Sequence, residues 1–388
     1  MRDSSRRSNA SHCPRTRPRC RSIRRGAPHT CRSRTTTCAS SISIRGVSSV
    51  RWRRCASPMR RTCSPGHADM RDAPPLDGMP DALVDAHHHL WRLDAGAHYP
   101  WLQEGYDPAR FMFGDYAALC RDFGVDDLRH AAQGVPIVAS VHVEAERARD
   151  EALAETRWLH EVAASHGLPS AVVAWVDLLA SDADERLAEQ AAWPRVRGVR
   201  FKPRTAAAPD ASVDGPGTLR DPRWPAALAR LAAHGLSWDL RVPFWHLGEA
   251  ASMLADAPDV DVVLEHAGLP WDRSDAGLAH WRRGMEALAA SPRVVVKISE
   301  LGLRDAAWNE ADNARIIRDT IAIFGAQRCL FASNFPVAGL RVSYPALLRT
   351  FARAMTQLDD AERRAIWHDN ALRVYRIALD TLHGPARG

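Results

Sequence analysis

The sequence is short of lysine, of long apolar runs and of glycine-rich loops, and each shortage narrows what the chain can be. Lysine occurs twice among 388 residues, while arginine occurs 50 times. The longest apolar runs have the length of strands and are interrupted by charges, so no transmembrane helix is predicted. No glycine-rich phosphate loop follows the first apolar run, which argues against a doubly wound dinucleotide-binding sheet. With 46% of its residues apolar, the chain can still bury a large core.

Cysteine is scarce outside the first segment of the chain, and so is excess positive charge. Six of the eight cysteines lie at or before Cys63, at spacings that match no zinc or redox motif. Residues 1–63 contain 17 arginines and a single acid, Asp3, so the remaining residues carry a net charge of −10. The other two cysteines, Cys120 and Cys329, lie in apolar contexts typical of reduced thiols. We therefore predict a cytoplasmic protein without a nucleic-acid partner, since the acidic remainder would repel phosphates.

Residues 1–80 are predicted to be a disordered, basic extension rich in Arg, Ser and Cys. They show neither helical nor strand periodicity and contain few large aliphatic residues, so they cannot bury enough surface to fold. A secretory or twin-arginine signal needs an apolar core of about 7–15 residues, which is missing. A transit peptide, a nucleic-acid-binding tail and a start codon assigned too early, with Met70 or Met79 as the real start, stay open. The excess of arginine over lysine favours the last.

Residues 81–388 are predicted to form one α/β domain, a (β/α)₈ TIM barrel. Short β-branched runs alternate there with amphipathic helical stretches, and eight parallel strands are the number that closes a barrel. The predicted strands are Leu83–Ala86, Ile137–Val143, Ala171–Val176, Val196–Phe201, Ser237–Val242, Val260–Glu265, Val294–Ile298 and Cys329–Ala332. The predicted helices include Asp150–His166, Asp221–His234, His246–Ala257 and Asp312–Phe324.

Most of the predicted strands end in polar residues. In a barrel of parallel strands these ends meet at one mouth, which is where TIM-barrel active sites lie. The sequence therefore predicts an enzyme with its site at this mouth. The polar ends are Asp85–His89, His142–Glu144, Arg200–Lys202, Asp239–Arg241, Glu265–His266, Lys297–Glu300 and Ser333–Asn334.

Histidines at the ends of the first and sixth strands are the strongest candidates for chemistry. His87 and His89 are two residues apart on an extended segment, so their side chains leave on the same face and can converge on a metal ion or a substrate oxygen. His88 points the opposite way and is predicted to be structural. His266, which precedes a small-residue turn, is predicted to be a ligand or a base. Its neighbour Glu265 is predicted to face the helical layer or a neighbouring strand.

Further side chains lie at the mouth by register and are candidates for substrate binding or proton transfer. A carboxylate can act as a base, a guanidinium can clamp a substrate carboxylate, and an ammonium group can polarise a carbonyl. Structural ion pairs of the barrel rim and loop packing are the alternatives for all of them. The candidate bases are Glu144 and Glu300, the candidate cations are Arg200, Lys202, Arg241 and Lys297, and the candidate pocket walls are Tyr99, Trp101 and Trp271.

The segments Asp85–Trp91 and Tyr99–Leu102 resemble the opening of the amidohydrolase-related (amidohydrolase 2) family. Later blocks are similar to that family in the same order, and the resemblance covers about residues 82–380. It is closest to the lactonases of the family and implies a hydrolase that adds water to a lactone or other ester-like carbonyl of a small acidic or sugar-derived metabolite. The later blocks are Val141–Glu146, Gly198–Arg200, His266–Gly268, Lys297–Ser299 and Phe331–Val337.

The resemblance also implies a metal site, with two departures from the family pattern. His87 and His89 match the H-x-H pair and His266 the strand-six histidine, so the resemblance implies one divalent metal, zinc before others. Strand five has no histidine, and Asn334 stands where an aspartate is usual, although an amide cannot act as a base. Either another group, His266 or Glu144, is then the base, with Asn334 orienting the water, or the reaction differs. Catalysis without a metal stays open.

Three functions remain as hypotheses. Lactone hydrolysis is favoured, but the family also resembles metal-dependent decarboxylases of aromatic acids. A barrel disabled by Asn334 would only bind a metabolite. A small-molecule partner is expected in every case, and association into a homo-oligomer is left open.

Overall fold

The computed structural model describes residues 78–93, 96–257 and 260–379, and these form the predicted (β/α)₈ barrel. Nearly all of the predicted extension over residues 1–80 lies outside the described residues. The eight strands pair in parallel, and their order in the sheet is their order in the sequence. The strands are β1 Leu83–His88, β2 Ile137–Val143, β3 Ala171–Ala174, β4 Val196–Val199, β5 Ser237–Leu240, β6 Val262–Leu264, β7 Val294–Ile298 and β8 Cys329–Phe331.

The strands lie where the sequence predicted them, but several end early. β3, β4 and β5 each stop two residues before the predicted end, and β6 stops at Leu264. Arg200, Arg241 and Glu265 directly follow β4, β5 and β6, and their side chains meet at the barrel mouth. Residues beyond the hydrogen-bonded part of a strand no longer alternate between the two faces of the sheet, so their side chains can point into the barrel mouth.

Helices cover the outside of the barrel. The predicted helix Asp312–Phe324 begins earlier, at Glu310, because the side chain of Asn309 accepts a hydrogen bond from the Asp312 N–H at 3.1 Å and so caps the helix. In the described ranges, no helix is both long and apolar enough to cross a bilayer. The helices are α1 Pro100–Gln103, α2 Val125–Ala132, α3 Ala152–His166, α4 Ala183–Ala191, α5 Trp224–Ala233, α6 Leu247–Ala255, α7 Asp275–Ala289, α8 Glu310–Phe324, α9 Tyr344–Ala354, α10 Asp360–Arg364 and α11 Asn370–Val374.

The barrel closes through backbone hydrogen bonds between the segment after β8 and the end of β1. The Asn334 N–H donates to the His87 carbonyl at 2.7 Å, and the His89 N–H donates to the Phe335 carbonyl at 2.8 Å. The two segments that carry the candidate histidines and Asn334 are therefore fixed to each other by the backbone.

A buried ion pair lies inside the barrel, below the mouth. Lys297 on β7 donates to the Asp239 carboxylate at 2.6 Å, and the Tyr375 hydroxyl donates to the same carboxylate at 2.8 Å. All three side chains are fully buried. Lys297, a candidate cation from its register, is thus held away from the mouth by a structural partner.

Candidate functional site

A cavity of about 320 Å³ opens at the carboxyl-terminal mouth of the barrel. It brings together nine of the thirteen candidate residues named from the sequence, while His87, Glu144, Lys297 and Tyr99 do not line it. Its walls come from several strand ends and from the loop after β1. The lining residues are His89, Trp101, Arg110, Phe111, Met112, Ala145, Glu146, Arg200, Lys202, Arg241, His266, Trp271, Glu300, Asn334 and Val337.

His87 and His89 converge as their spacing predicted. Their Nε2 atoms are 3.3 Å apart, and the His89 Nδ1 atom lies 2.7 Å from the Val143 carbonyl oxygen. Because a carbonyl can only accept, His89 carries its proton on Nδ1 and directs the Nε2 lone pair at His87. Burial lowers the pKa of both imidazoles well below the usual value, so both are neutral at pH 7. His88 instead bonds the Ser140 hydroxyl, away from the cavity.

His266 follows β6 in a strained turn. Its φ is 59°, and the next residue, Ala267, has φ 49°, so two non-glycine residues are left-handed in succession. The turn then passes Gly268, where a Cβ would lie 2.8 Å from the Leu247 side chain. The His266 Nδ1 atom lies 2.8 Å from the Ser299 hydroxyl, and its Nε2 atom lies 3.2 Å from a carboxylate oxygen of Glu300. These two contacts hold the imidazole at the cavity wall, on a turn whose backbone is strained.

Glu265 was predicted to face the helical layer or a neighbouring strand, and the structure places it inside the barrel mouth. β6 ends at Leu264, so strand alternation no longer governs the two residues that follow. Both then turn inward. One Glu265 oxygen accepts from Arg200 at 3.3 Å, and the other lies 3.5 Å from the His87 Nδ1 atom.

The donor set at this point fits a metal cation. Three buried atoms here have no hydrogen-bond partner: His87 Nδ1, Glu265 Oε1 and Glu300 Oε1. Ligand atoms of His87, Glu265 and His266 all lie within 4.8 Å of one another. If Ser299 holds the His266 proton on Nδ1, the bare Nε2 atom faces a carboxylate, a repulsive contact that a cation would relieve. Imidazole nitrogens and carboxylate oxygens are ligands that zinc accepts.

Glu300 and Asn334 form a pair on the cavity wall. The Asn334 side-chain amide donates to Glu300 at 2.9 Å, and both residues are left-handed, with φ of 56° and 51°. Burial raises the pKa of Glu300 to about 7. Arg241 lies 3.6 Å from the second oxygen of Glu300. The amide that cannot act as a base therefore orients a carboxylate that can.

Glu144 and Arg200 are tied to each other. Arg200 donates through Nε to the Glu144 carboxylate at 2.8 Å, and it donates also to the Glu144 carbonyl and to Glu265. Arg149 holds the other oxygen of Glu144 at 3.0 Å. Glu144 is thus enclosed by two guanidinium groups, and Arg200 is committed to two acids rather than free to clamp a substrate.

The remaining cations of the cavity are paired as well. Lys202 donates to Glu146, and this ammonium group holds the pKa of Glu146 well below its usual range. Arg110 lies 3.5 Å from Asp107. The cavity is therefore lined by cation–acid pairs, in which donors and acceptors stand side by side.

An aromatic wall completes the cavity. Trp101 donates through Nε1 to the Ala145 carbonyl at 2.9 Å, and its ring stacks on Phe111 with centroids 5.8 Å apart and planes 6° apart. Trp271 lines the cavity as well, while Tyr99 is buried in the core and does not. The sequence did not predict Phe111 and Met112 as cavity residues, because their loop has no periodic pattern that would indicate which side chains face the cavity.

Fold and site together define a barrel enzyme of the amidohydrolase hydrolase type, and comparison with known proteins agrees. The family model described as amidohydrolase matches residues 84–377. The chain is 35% identical to an uncharacterized protein of Sinorhizobium fredii, over 76% of this chain and 99% of the relative. It is 33% identical to an L-fucono-1,5-lactonase of Burkholderia multivorans, over 76% of this chain and 96% of that enzyme.

A solved structure of a Burkholderia multivorans amidohydrolase with bound zinc is also similar. It is 30% identical, with a TM-score of 0.62, over 76% of this chain and all of that one. The chain belongs to the amidohydrolase family.

Proposed function

We propose that the chain is a lactonase that adds water to the ring ester of a small sugar-derived lactone. The observation that carries this proposal is the buried carboxylate of Glu300, which lies on the cavity wall beside His266 and is oriented by Asn334. Two relatives at 30–33% identity are L-fucono-1,5-lactonases, which supports the same reaction class.

The pairing of the cations favours an uncharged, hydroxyl-bearing substrate. Lys202 already bonds Glu146, and Arg241 already faces Glu300. A substrate carboxylate would have to compete with these acids for the same cations. A substrate hydroxyl group can instead donate a hydrogen bond to the carboxylate of a pair and accept one from its ammonium or guanidinium group. These hydrogen bonds are added without breaking the pair. The stacked Trp101 and Phe111 rings offer an apolar face for a sugar ring.

A divalent metal, zinc in our proposal, would be held by His87, Glu265 and His266, with the Nε2 atom of His89 alongside. When bound, it would polarise the ester carbonyl and lower the pKa of a bound water. The zinc-bound relative supports this choice of ion. His89 keeps its Nε2 lone pair toward the site because Val143 holds the proton on Nδ1.

The protein's own groups would carry the proton. Glu300, as carboxylate, accepts a proton from the attacking water, whose oxygen bonds the lactone carbonyl carbon. The ring C–O bond then breaks, and the Glu300 carboxylic acid returns the proton to the departing alkoxide oxygen, giving the open hydroxy acid. Asn334 keeps the Glu300 carboxylate aimed into the cavity throughout. General acid–base transfer of this kind contributes about 10²–10⁴-fold.

A lactone panel followed with a pH indicator tests the proposal, with uncharged aldonolactones and a carboxylate-bearing lactone in parallel. We expect saturable turnover of an uncharged lactone, loss of turnover with EDTA and recovery with zinc. Glu300→Gln should lower kcat by about 10²–10³-fold, in the range of general base loss. The exposed Glu286→Gln on α7 is the matched control and should keep wild-type kcat.

The two alternatives give different results in the same experiment. Carbon dioxide release from a hydroxybenzoate without lactone turnover would replace hydrolysis with decarboxylation. Metabolite binding without turnover, with activity gained in Asn334→Asp, would point to a disabled barrel. Wild-type kcat in Glu300→Gln would remove Glu300 from the mechanism.

A further inference from the structure

The loop between α1 and α2 contributes a flap to the cavity, which we define as residues 105–114. Arg110, Phe111 and Met112 of this flap line the cavity. The flap contains no helix or strand, and its internal backbone hydrogen bonds are turn bonds: the Phe111 N–H donates to the Asp107 carbonyl at 3.1 Å, and the Gly114 N–H donates to the Phe111 carbonyl at 3.0 Å. The two ends of the flap are held, because the Tyr116 hydroxyl bonds Gly105 and Asp107 and because Phe113 is buried. The contacts of its middle therefore decide how well the flap closes the cavity.

One side chain from outside the flap bonds three of its carbonyls. The Arg304 guanidinium donates to the carbonyls of Phe111 at 3.1 Å, Pro108 at 2.8 Å and Ala109 at 2.9 Å. Two guanidinium nitrogens share these three carbonyls, whereas an ammonium group would have all its donors on one nitrogen. Arg304 belongs to the loop after β7, four residues beyond Glu300. The contact therefore joins the flap to the loop that bears the proposed base.

A second arginine supports this contact from below. Arg341 donates to the carbonyl of Phe113 in the flap and to the carbonyl of Arg304 itself. Its side chain passes Gly302, where a Cβ would lie 2.9 Å from the Arg341 Cγ atom, so a larger residue would obstruct it. The backbone of Arg304 is thereby fixed, which prepares its side chain to bond the flap.

We propose that Arg304 is a positioning residue that holds the flap over the cavity and thereby determines how tightly substrate binds. The part that concerns substrate rests on the proposed lactonase function. When Arg304 is lost, the flap spends more time open and Phe111 and Met112 leave the cavity wall. The apparent affinity for substrate falls in proportion to the fraction of molecules in which the flap is closed, while Glu300 and the histidines keep their places.

Hydrogen exchange followed by mass spectrometry tests the positioning role without any substrate. Arg304→Met keeps the length of the side-chain stem and removes the donors. We expect the peptide over residues 105–114 to exchange at least about tenfold faster in this variant, with the peptides of β6 and β7 unchanged. Arg304→Lys should fall between wild type and Arg304→Met, because the lysine donors all lie on one nitrogen, whereas two guanidinium nitrogens share the three carbonyls. Arg353→Met on α9, a similarly exposed paired arginine, should exchange as wild type.

Kinetics then test the consequence for binding. We expect Arg304→Met to raise KM about tenfold for the best lactone and to change kcat by no more than about twofold. Unchanged exchange over residues 105–114 would overturn the positioning role, and faster exchange with unchanged KM would overturn its effect on binding. If the wild-type enzyme turns over no lactone, exchange alone still decides the positioning role, and the failure belongs to the proposed function.

Discussion

Two charged layers lie one above the other in this barrel, and they are built differently. In the lower layer, Lys297, Asp239 and Tyr375 satisfy one another, and none of their atoms is among the buried polar atoms without a partner. In the upper layer, defined as His87, Glu265, His266 and Glu300, three buried atoms have no hydrogen-bond partner. The lower layer is closed, whereas the upper layer has unused capacity to bind.

The difference separates structural charge from functional charge. A buried polar atom left without any partner costs about 1–3 kcal/mol, so three atoms without a hydrogen bond in one place mark where a cation and a substrate would bind. A cation and a substrate would offset that cost when they bind. Burial alone does not distinguish the layers, because both are almost fully buried. Unsatisfied hydrogen bonding distinguishes them.

The largest effect is expected in the upper layer. Glu265→Gln keeps the shape of the side chain but removes the charge beside His87, and an amide is a much weaker metal ligand than a carboxylate. We expect the variant to lose its bound metal. Because the metal would stabilise the transition state, kcat/KM should fall by about 10³-fold or more. Lactone assays and metal analysis by mass spectrometry measure the two effects.

Stability should respond in the opposite direction in that variant. Removing a buried, poorly paired carboxylate should leave the Tm of the metal-free protein unchanged or raise it, since Arg200 keeps its bonds to Glu144. Glu286→Gln again serves as the exposed control. Full metal content in Glu265→Gln would show that Glu265 is not a ligand, and a large drop in Tm would place it with the structural layer.

The positions of the strands and of the histidines were predictable from the sequence, because both follow from short-range patterns. β2 and β7 have the predicted bounds, and His87 and His89 converge because residues two apart on an extended segment share a face. The cavity at the mouth follows from the parallel topology alone.

What could not be predicted depends on residues far apart in the chain. The partners of Arg200 are 56 and 65 residues away, and no local pattern shows that they would occupy its donors. Glu265 was misplaced because strand alternation was extended past Leu264, where the strand has ended. Glu300 was a candidate base from its register, but the bond from Asn334 that orients its carboxylate comes from 34 residues away and has no local pattern.

A smaller effect, on stability, is expected in the lower layer. Lys297→Met leaves the Asp239 carboxylate buried without its cation, and breaking a buried pair costs about 3–5 kcal/mol. We expect the urea midpoint to fall accordingly. The double variant Lys297→Met with Asp239→Asn should recover at least about half of that loss, since the amide oxygen still accepts from Tyr375. No recovery in the double variant would mean that Lys297 acts through packing rather than charge.

The smallest effect extends the comparison to a buried acid outside both layers. Glu155 on α3 is almost fully buried, where it accepts from the Ala145 N–H at 3.0 Å, and burial together with the nearby Glu144 raises its pKa to about 8. The pKa of an unfolded Glu is near 4.5. The protonated form is therefore favoured by folding. Its stabilising contribution is fully present below about pH 4.5 and is lost as the pH rises through about 8.

Glu155→Gln removes this titration while keeping an oxygen for the Ala145 N–H. The difference in Tm between the variant and the wild type should therefore change with pH. We expect the Tm of the variant to gain on that of the wild type between pH 5 and pH 8.5, by at least about 2–4 °C, because each pH unit between the two pKa values lowers the stability of the wild type by up to about 1.4 kcal/mol. Thermal scans of both proteins across this range measure the difference, because titrations common to both cancel. Glu161→Gln, on the exposed face of the same helix, should show no such trend. A difference in Tm between Glu155→Gln and wild type that stays constant with pH would mean that the ionised carboxylate is well paired. Glu155 would then resemble Asp239 rather than the acids of the upper layer.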